Sequence, residues 1–254
     1  MHSAPSAREK RQLITLRERR NRESEGHFLA EGVRVVEDLL ASDVAIDWAL
    51  VSSTLEDGGR ASALFAEMEK RGIPVRTVEQ REFAALADTR SPQGVLAVAE
   101  TPVGHLDQLS GASVVLVLDA VQDPGNFGTL VRSAEALGAG GVIALPGTVD
   151  CWNAKVVRSA AGSLFRQPIV RCGWPEAEAW LRGHDFTILA AAAGGEPLSG
   201  EMGKSALVVG NEGSGISRDV MAGVDVTVGI PLRGRAESLN VAAAAAILLY
   251  ELTR

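Results

Sequence analysis

Metal-ligand patterns are missing from this sequence. Its two cysteines, Cys151 and Cys172, and its four histidines, His2, His27, His105 and His184, are scattered without ligand spacing. No metal is implied, and the cysteines read as ordinary reduced thiols. No apolar run reaches the roughly 18 residues that a bilayer span requires. The arginine-rich N-terminus has no apolar signal core behind it, so the expectation is a cytoplasmic protein with no membrane partner. Cations are in the minority: 25 Lys and Arg stand against 32 Asp and Glu, a net charge of −7. That balance argues against wholesale wrapping of nucleic acid, which clustered cations drive. Neither a G-x-x-x-x-G-K-[ST] phosphate loop nor a G-x-G-x-x-G turn is present, which disfavours the commonest nucleotide-binding classes.

What is there suffices for a full core. With 254 residues, 46% of them hydrophobic, the chain has room for two domains. Its charge is unevenly spread: between Arg8 and Arg22, seven basic residues face Glu9 and Glu18, a local net charge of +5. This basic arm, residues 1–22, suits a polyanion contact through Arg17, Arg19, Arg20 and Arg22, or equally a solvated helix face. Residues 23–100 alternate helices and strands. Phe28-Leu29-Ala30-Glu31-Gly32 leads into an amphipathic helix carrying Val33, Val36, Leu39 and Leu40. Strands follow at Trp48–Val51, Val75–Val78 and Val95–Val98, with helices at Ala61–Arg71 and Gln80–Ala87. This predicts a small α/β/α domain. Residues 101–111, with Pro102, Gly104 and Gly111, read as a linker.

Residues 112–254 predict a second α/β domain. Val114–Leu118, Val142–Leu145, Phe186–Ala190, Ala206–Val209 and Val226–Ile230 are near-continuous apolar runs, the signature of a parallel sheet with helices on both faces. Helices are expected near Gly128–Leu137, Ala154–Leu164, Pro175–Arg182 and Ser238–Leu252. The last is apolar nearly all round, which calls for burial against the sheet or a second subunit.

Three strand-to-turn junctions carry polar tips, and such junctions can build one site at the ends of parallel strands. In Asp123-Pro124-Gly125-Asn126-Phe127-Gly128, Asn126 sits where a helix N-cap belongs. Arg132 follows about one and a half turns later, a permanent cation suited to phosphate or carboxylate. In Gly210-Asn211-Glu212-Gly213-Ser214-Gly215, glycines allow close backbone approach. The Glu212 carboxylate there is a poor neighbour for phosphate but can orient a ligand amine or a catalytic partner. In Ile230-Pro231-Leu232-Arg233-Gly234 through Ser238-Leu239-Asn240-Val241, Ser238 is a natural N-cap and Asn240 falls in the first turn. Taken singly, each junction is equally a structural cap or turn.

Together, the three segments resemble the SpoU/TrmH family of RNA ribose methyltransferases in the SPOUT superfamily, over residues 112 to 254. Phe28-Leu29-Ala30-Glu31-Gly32 and Gln93-Gly94-Val95 resemble its ribosomal-protein-like substrate-binding domain, with Pro92 where many members have histidine. Leu232 replaces the methionine usual after Ile-Pro. The resemblance implies a C-terminal trefoil knot, a shape that proteins otherwise avoid, and S-adenosylmethionine bound there. Gly210, Ile230 and Leu239 would hold its adenine through backbone groups, with Leu207, Val208 and Val241 as apolar neighbours. Arg132 would activate the ribose hydroxyl, with Asn126, Glu212, Ser238 and Asn240 orienting it and the ribose. A homodimer sharing its catalytic pockets and an RNA substrate, ribosomal rather than transfer RNA, complete the expectation. Three alternatives stay open at this point: a transfer-RNA 2′-O-methyltransferase, a non-catalytic RNA-binding assembly factor that retains the fold, and a nucleotide-binding α/β enzyme of another class.

Overall fold

The computed structural model of the chain describes residues 3–55, 59–199 and 202–254, so His2 lies outside the described residues. Two compact units emerge: Met1–Pro102 with Asp150–Phe165, and Val103–Val149 with Arg166–Arg254.

The first unit opens with α1 (Ala7–Thr15) and α2 (Arg19–Glu25). Next come β1 (His27–Glu31), α3 (Val33–Leu40), β2 (Ile46–Ser52), α4 (Gly59–Lys70), β3 (Val75–Val78), α5 (Gln80–Leu86) and β4 (Val95–Glu100). The sheet order is β1-β4-β2-β3, parallel only between β2 and β3. The basic segment departs from the expected arm. Ser6 and Glu9 form a capping box at the start of α1. Leu13 and Leu16, one helical turn apart, are fully buried in a cluster with Leu29, Trp48 and Phe83. Two leucines at that spacing make an apolar face that an inventory of charges passes over. β1 also departs from expectation: Phe28–Glu31 lie in a strand of their own rather than in the lead into α3. Gly32, at φ 107°, makes the break between them.

The second unit begins with β5 (Val114–Leu118), α6 (Pro124–Ala136) and β6 (Val142–Ala144). The units divide within the expected linker, between Pro102 and Val103, and the rest of that segment belongs to the second unit. Leu106–Leu109 forms a 3₁₀ turn whose Leu109 is fully buried in the unit's core. The chain then rejoins the first unit through α7 (Ala154–Ser159). There Phe28 meets Trp152 and Phe165 at ring-centroid distances of 4.6 and 5.9 Å. The second unit resumes with β7 (Ile169–Arg171), α8 (Trp174–Gly183), β8 (Thr187–Glu196), β9 (Ser205–Val209), α9 (Arg218–Ala222), β10 (Val226–Val228) and α10 (Val241–Thr253).

The six strands run in the order β10-β8-β9-β5-β6-β7, every neighbouring pair parallel. Strand alternation sorts the core. Val115, Val117, Ala206 and Val208 pack with Trp174, Ala177 and Leu181 of α8 on one face. Leu116, Leu207 and Val209 have the opposite parity and take the face that α10 covers as it packs on β5, β8 and β9. From β5 the order runs outward to β6 and β7, whereas β9, β8 and β10 lie on the other side. The reversal falls between β5 and β9, and ligands bind at the carboxyl ends of strands at such a switch point. Among the described residues, no helix is long and apolar enough to cross a membrane, and no group of three or more His, Cys, Asp or Glu could hold a metal.

Candidate active site

The site grows from the carboxyl ends of β5 and β9, which pair in register as far as Leu118 and Val209. Beyond β9, Gly210 allows the turn to close: a Cβ there would lie 2.3 to 2.4 Å from the backbone of Gly215 and Ile216. Asn211 ties the turn together. Its backbone exchanges two 3.0 Å hydrogen bonds with Gly215. Its Oδ1 accepts from Gly213 N and Ser214 N at 2.9 and 3.0 Å. Its Nδ2 donates across to the carbonyl of Ala120 at 2.9 Å. Ala120 sits at φ 55°, a region costly for a residue with a Cβ. The buried Asp119 beside it accepts from Ser217 N at 2.6 Å. The turn is therefore fastened to β5 at both ends.

So fastened, Glu212 becomes an acceptor for the other junction. Its carboxylate takes Gln122 N and Asp123 N, each at 3.2 Å, and Asn126 Nδ2 at 2.9 Å. Burial pushes its pKa up, but these donors, led by Asn126, outweigh burial and hold it below the ordinary carboxylate value. An ionised carboxylate with its lone pairs committed to three donors serves as an anchor rather than a base. It also fixes which way the Asn126 amide points. With Nδ2 given to Glu212, Oδ1 accepts from Asn240 Nδ2 at 3.0 Å. That leaves Asn240 Oδ1 to cap α10 through Ala242 N and Ala243 N at 2.9 and 3.3 Å. One directional relay thus joins all three junctions.

Two cap assignments change. The N-cap of α6 is Asp123, whose side chain accepts from Asn126 N at 2.8 Å, with Pro124 opening the helix. The N-cap of α10 is Asn240 rather than Ser238. In both cases the helix boundary is displaced by a few residues, and the freed asparagine or serine is left for the site.

A cavity of about 1050 Å³ lies against this relay. Gly210, Glu212, Ile230, Ser238, Leu239, Asn240 and Val241 line it. Leu207 and Val208 do not: both are fully buried in β9, with Val208 on the α8 face. Val209 takes their place. The residues that sequence reasoning missed are the end of β8, Ala191 to Gly195, together with Ile216, Met221 and Leu248. They offered no signal, because small and apolar residues past a strand look like more strand. Asn126 stands behind the wall, bonded to two residues that form it. Arg132 is exposed on α6, on the side opposite to the buried Leu130 and Ala134, and is not among the residues lining the cavity.

The four arginines expected to meet RNA belong to the first unit, and they differ. Arg20 is exposed, and Arg19 pairs with Glu23 at 2.9 Å on the surface. Arg17 Nη2 donates to the carbonyls of Leu86 and Ala87 at 2.8 and 3.0 Å, closing the end of α5. Arg22 is withdrawn altogether. Buried at 6% exposure, it donates to Asp150 from Nε at 2.8 Å and Nη2 at 2.5 Å, and to the carbonyls of Leu16 and Arg17.

Comparison with known proteins covers both units. Residues 113–250 match the SpoU rRNA Methylase family and residues 9–97 the MRM3-like substrate binding domain. The chain is 37% identical over 241 residues to the 23S rRNA (guanosine(2553)-2′-O)-methyltransferase RlmP of Bacillus subtilis, covering 93% of this chain and 92% of that protein. It is 34% identical over 262 residues to the 23S rRNA (uridine(2479)-2′-O)-methyltransferase of Streptomyces viridochromogenes, covering 93% and 85%. Among solved structures, the SpoU methyltransferase AviRb of Streptomyces viridochromogenes in complex with AdoMet superposes with a TM-score of 0.86 at 29% identity, covering 98% of this chain and 97% of that one. The AdoMet-bound rRNA methyltransferase of Sinorhizobium meliloti gives 0.85 at 27% identity, covering 98% and 95%.

Proposed function

The chain belongs to the SpoU rRNA methylase family, and on that premise we propose that it transfers a methyl group from S-adenosylmethionine to a ribose 2′-hydroxyl of ribosomal RNA. The observation that carries this reading is the relay Glu212–Asn126–Asn240 at the wall of the cavity, which unites the three junctions in one site. A non-catalytic RNA binder would have no need of it.

The cavity suits the cofactor. Gly210 can offer a ligand only backbone, and with Ile230 and Leu239 it would hold the adenine, covered by Val241, Ile216, Met221 and Leu248. The ionised Glu212 gives the rim a negative charge that complements a cation. S-adenosylmethionine, when bound, supplies an electrophilic methyl group on its sulfonium. A ribose hydroxyl is a weak nucleophile, so the site must favour the alkoxide as the proton leaves. Arg132 does this electrostatically together with substrate phosphate, because a guanidinium stays protonated at any working pH. Ser238 and Asn240 orient the ribose, and Asn126 and Glu212 keep Asn240 in place.

Three further parts belong to the same reading. The C-terminal segment is threaded as a trefoil knot, as the family resemblance implies. The working form is a cytoplasmic homodimer that shares its pockets, so that Arg132 serves a pocket formed by the pair. Support comes from an apolar stripe on α10: Ala243, Ile247 and Tyr250 lie at i, i+4 and i+7, and the last two are 44% and 56% exposed. Ribosomal rather than transfer RNA is supported by the 23S rRNA substrates for which the two relatives are named.

The test is methylation of total RNA with labelled cofactor, followed by mapping of the modified ribose. Arg132→Ala is expected to stop transfer while leaving cofactor affinity, read by calorimetry, nearly intact. Label on bases alone would overturn the reaction. RNA binding without cofactor binding would favour an assembly factor.

A further inference from the structure

The proposed reaction makes no use of Glu31, although it is buried at 3% exposure on β1. Its carboxylate accepts from Asp88 N at 3.0 Å, Thr89 N at 3.3 Å and Thr89 Oγ1. All three donors are neutral, and all belong to the surface loop between α5 and β4. Burying a carboxylate without a cation is costly, and an apolar residue would serve stability alone better. What the carboxylate adds is a fixed shape for that loop.

The far end of the loop is fixed in the same way. Gln93 Oε1 accepts from Val33 N at 3.0 Å, at the start of α3. The contact needs glycine beside it, since a Cβ on Gly32 would stand 3.0 Å from that oxygen and Gly32 sits at φ 107°. Both ends of the segment from Asp88 to Gln93 are thus pinned to the β1–α3 turn. Between the pins lies the exposed Arg90, and on the first turn of α3, next to the pinned Val33, lies the exposed Arg34. The loop's own carboxylate, Asp88, lies 3.7 Å from Arg158, which offsets its charge. A rigidly held surface loop is a place where recognition residues are presented, and here the loop and the helix start it is pinned to present one guanidinium each on a chain of net charge −7.

We propose that Arg90, on a loop held in shape by Glu31 and Gln93, and Arg34, on the first turn of α3 to which that loop is pinned, bind a phosphodiester segment of the RNA substrate. Glu31 is a positioning residue that acts through Arg90. The proposal rests on the RNA methyltransferase reading. Guanidinium forks match phosphate oxygens, and each phosphate neutralised adds about 0.7 to 0.9 to the slope of log affinity against log salt.

The experiment uses the full-length protein, labelled cofactor and a 23S rRNA transcript carrying the mapped site. In Arg34→Ala/Arg90→Ala, both changes at the surface, KM for RNA is expected to rise about tenfold. The salt slope should fall by roughly 1 to 2, with kcat at saturating RNA and cofactor affinity unchanged. Glu31→Gln should raise KM for RNA less than Arg90→Ala does, and should add little when combined with it. A double arginine variant with wild-type KM and salt slope would overturn the proposal, while RNA methylation by the wild type would leave the enzymatic reading standing. Equal loss of cofactor affinity and kcat in Glu31→Gln, without coupling to Arg90, would reduce Glu31 to a folding role. Loss of binding to an acidic protein instead of RNA would reassign the surface.

Discussion

Replacing Glu212 with alanine removes one acceptor and leaves three donors, Gln122 N, Asp123 N and Asn126 Nδ2, to find others. The residue is exposed, so water can satisfy the two backbone amides and little global stability is at stake. The asparagine is different, because its amide can then rotate and Asn240 Nδ2 loses an oriented partner. A hydrogen bond to a charged group contributes about 1.5 to 3 kcal/mol net. Taking the lower end for an exposed site, kcat/KM should fall roughly tenfold. Asn126→Ala should cost about the same, and the double variant little more than either single change, a coupling on the order of 1 kcal/mol. The sign of the pH dependence follows from the depressed pKa. Glu212 contributes fully above the ordinary carboxylate value of 4.5, and its contribution is lost as pH falls through the lower folded-state value. The site should therefore hold its shape throughout the neutral range. The assay is methyl transfer to the rRNA transcript across pH, with calorimetry of the cofactor. Strictly additive losses, or a wild-type rate for Glu212→Ala, would refute the relay.

Arg22→Ala leaves Asp150 buried without its cation, and removing one partner of such a pair costs about 3 to 5 kcal/mol. The first unit should melt earlier by calorimetry, with no change in the salt dependence of RNA binding. Cys172 is pushed up to about 11 by burial, with Glu176 adding to the effect. It should resist iodoacetamide at pH 8, as mass spectrometry of the labelled native protein would report, and react once denatured. Ile247→Glu/Tyr250→Glu places charge on the apolar stripe of α10 and should leave only monomer in sedimentation where the wild type runs as the proposed homodimer; a wild type that sediments as a monomer would refute that assembly. Pocket sharing would make that variant inactive on RNA.

Much of the second unit was legible because its signals are local. A strand buried on both faces must be apolar throughout, and Val114–Leu118 and Ser205–Val209 are buried at every position. The polar tips of the junctions stood out against those runs, and Asn126, Glu212 and Asn240 are joined by hydrogen bonds. What stayed hidden was nonlocal. Val208 looked like Leu207 in the sequence, and only the pleat decides that it faces α8. The helix caps slipped because Asp123 and Asn126, like Ser238 and Asn240, are chemically equivalent candidates a few residues apart.

The first unit was less legible, for a related reason. Charge dominates the composition of residues 8–22, yet burial there is decided by Leu13, Leu16 and Arg22. Arg22 reads as a surface cation until Asp150, 128 positions away, closes on it. Proline and glycine marked the segment where the chain passes from one unit to the other, between Pro102 and Val103, but they mark turns whether or not the turns are packed, and Leu109 is fully buried.

By itself the sequence determined the periodicities, and with them the parallel sheet, the alternation of helices and the three polar junctions, since these follow from which backbone groups and side chains neighbour one another along the chain. Only the tertiary structure decided which carboxylate anchors which amide, which arginine is buried, and which residues of β9 face α8 and which face α10. Those outcomes depend on distances between residues far apart in sequence, and a hydrogen bond is made or lost within a few tenths of an ångström.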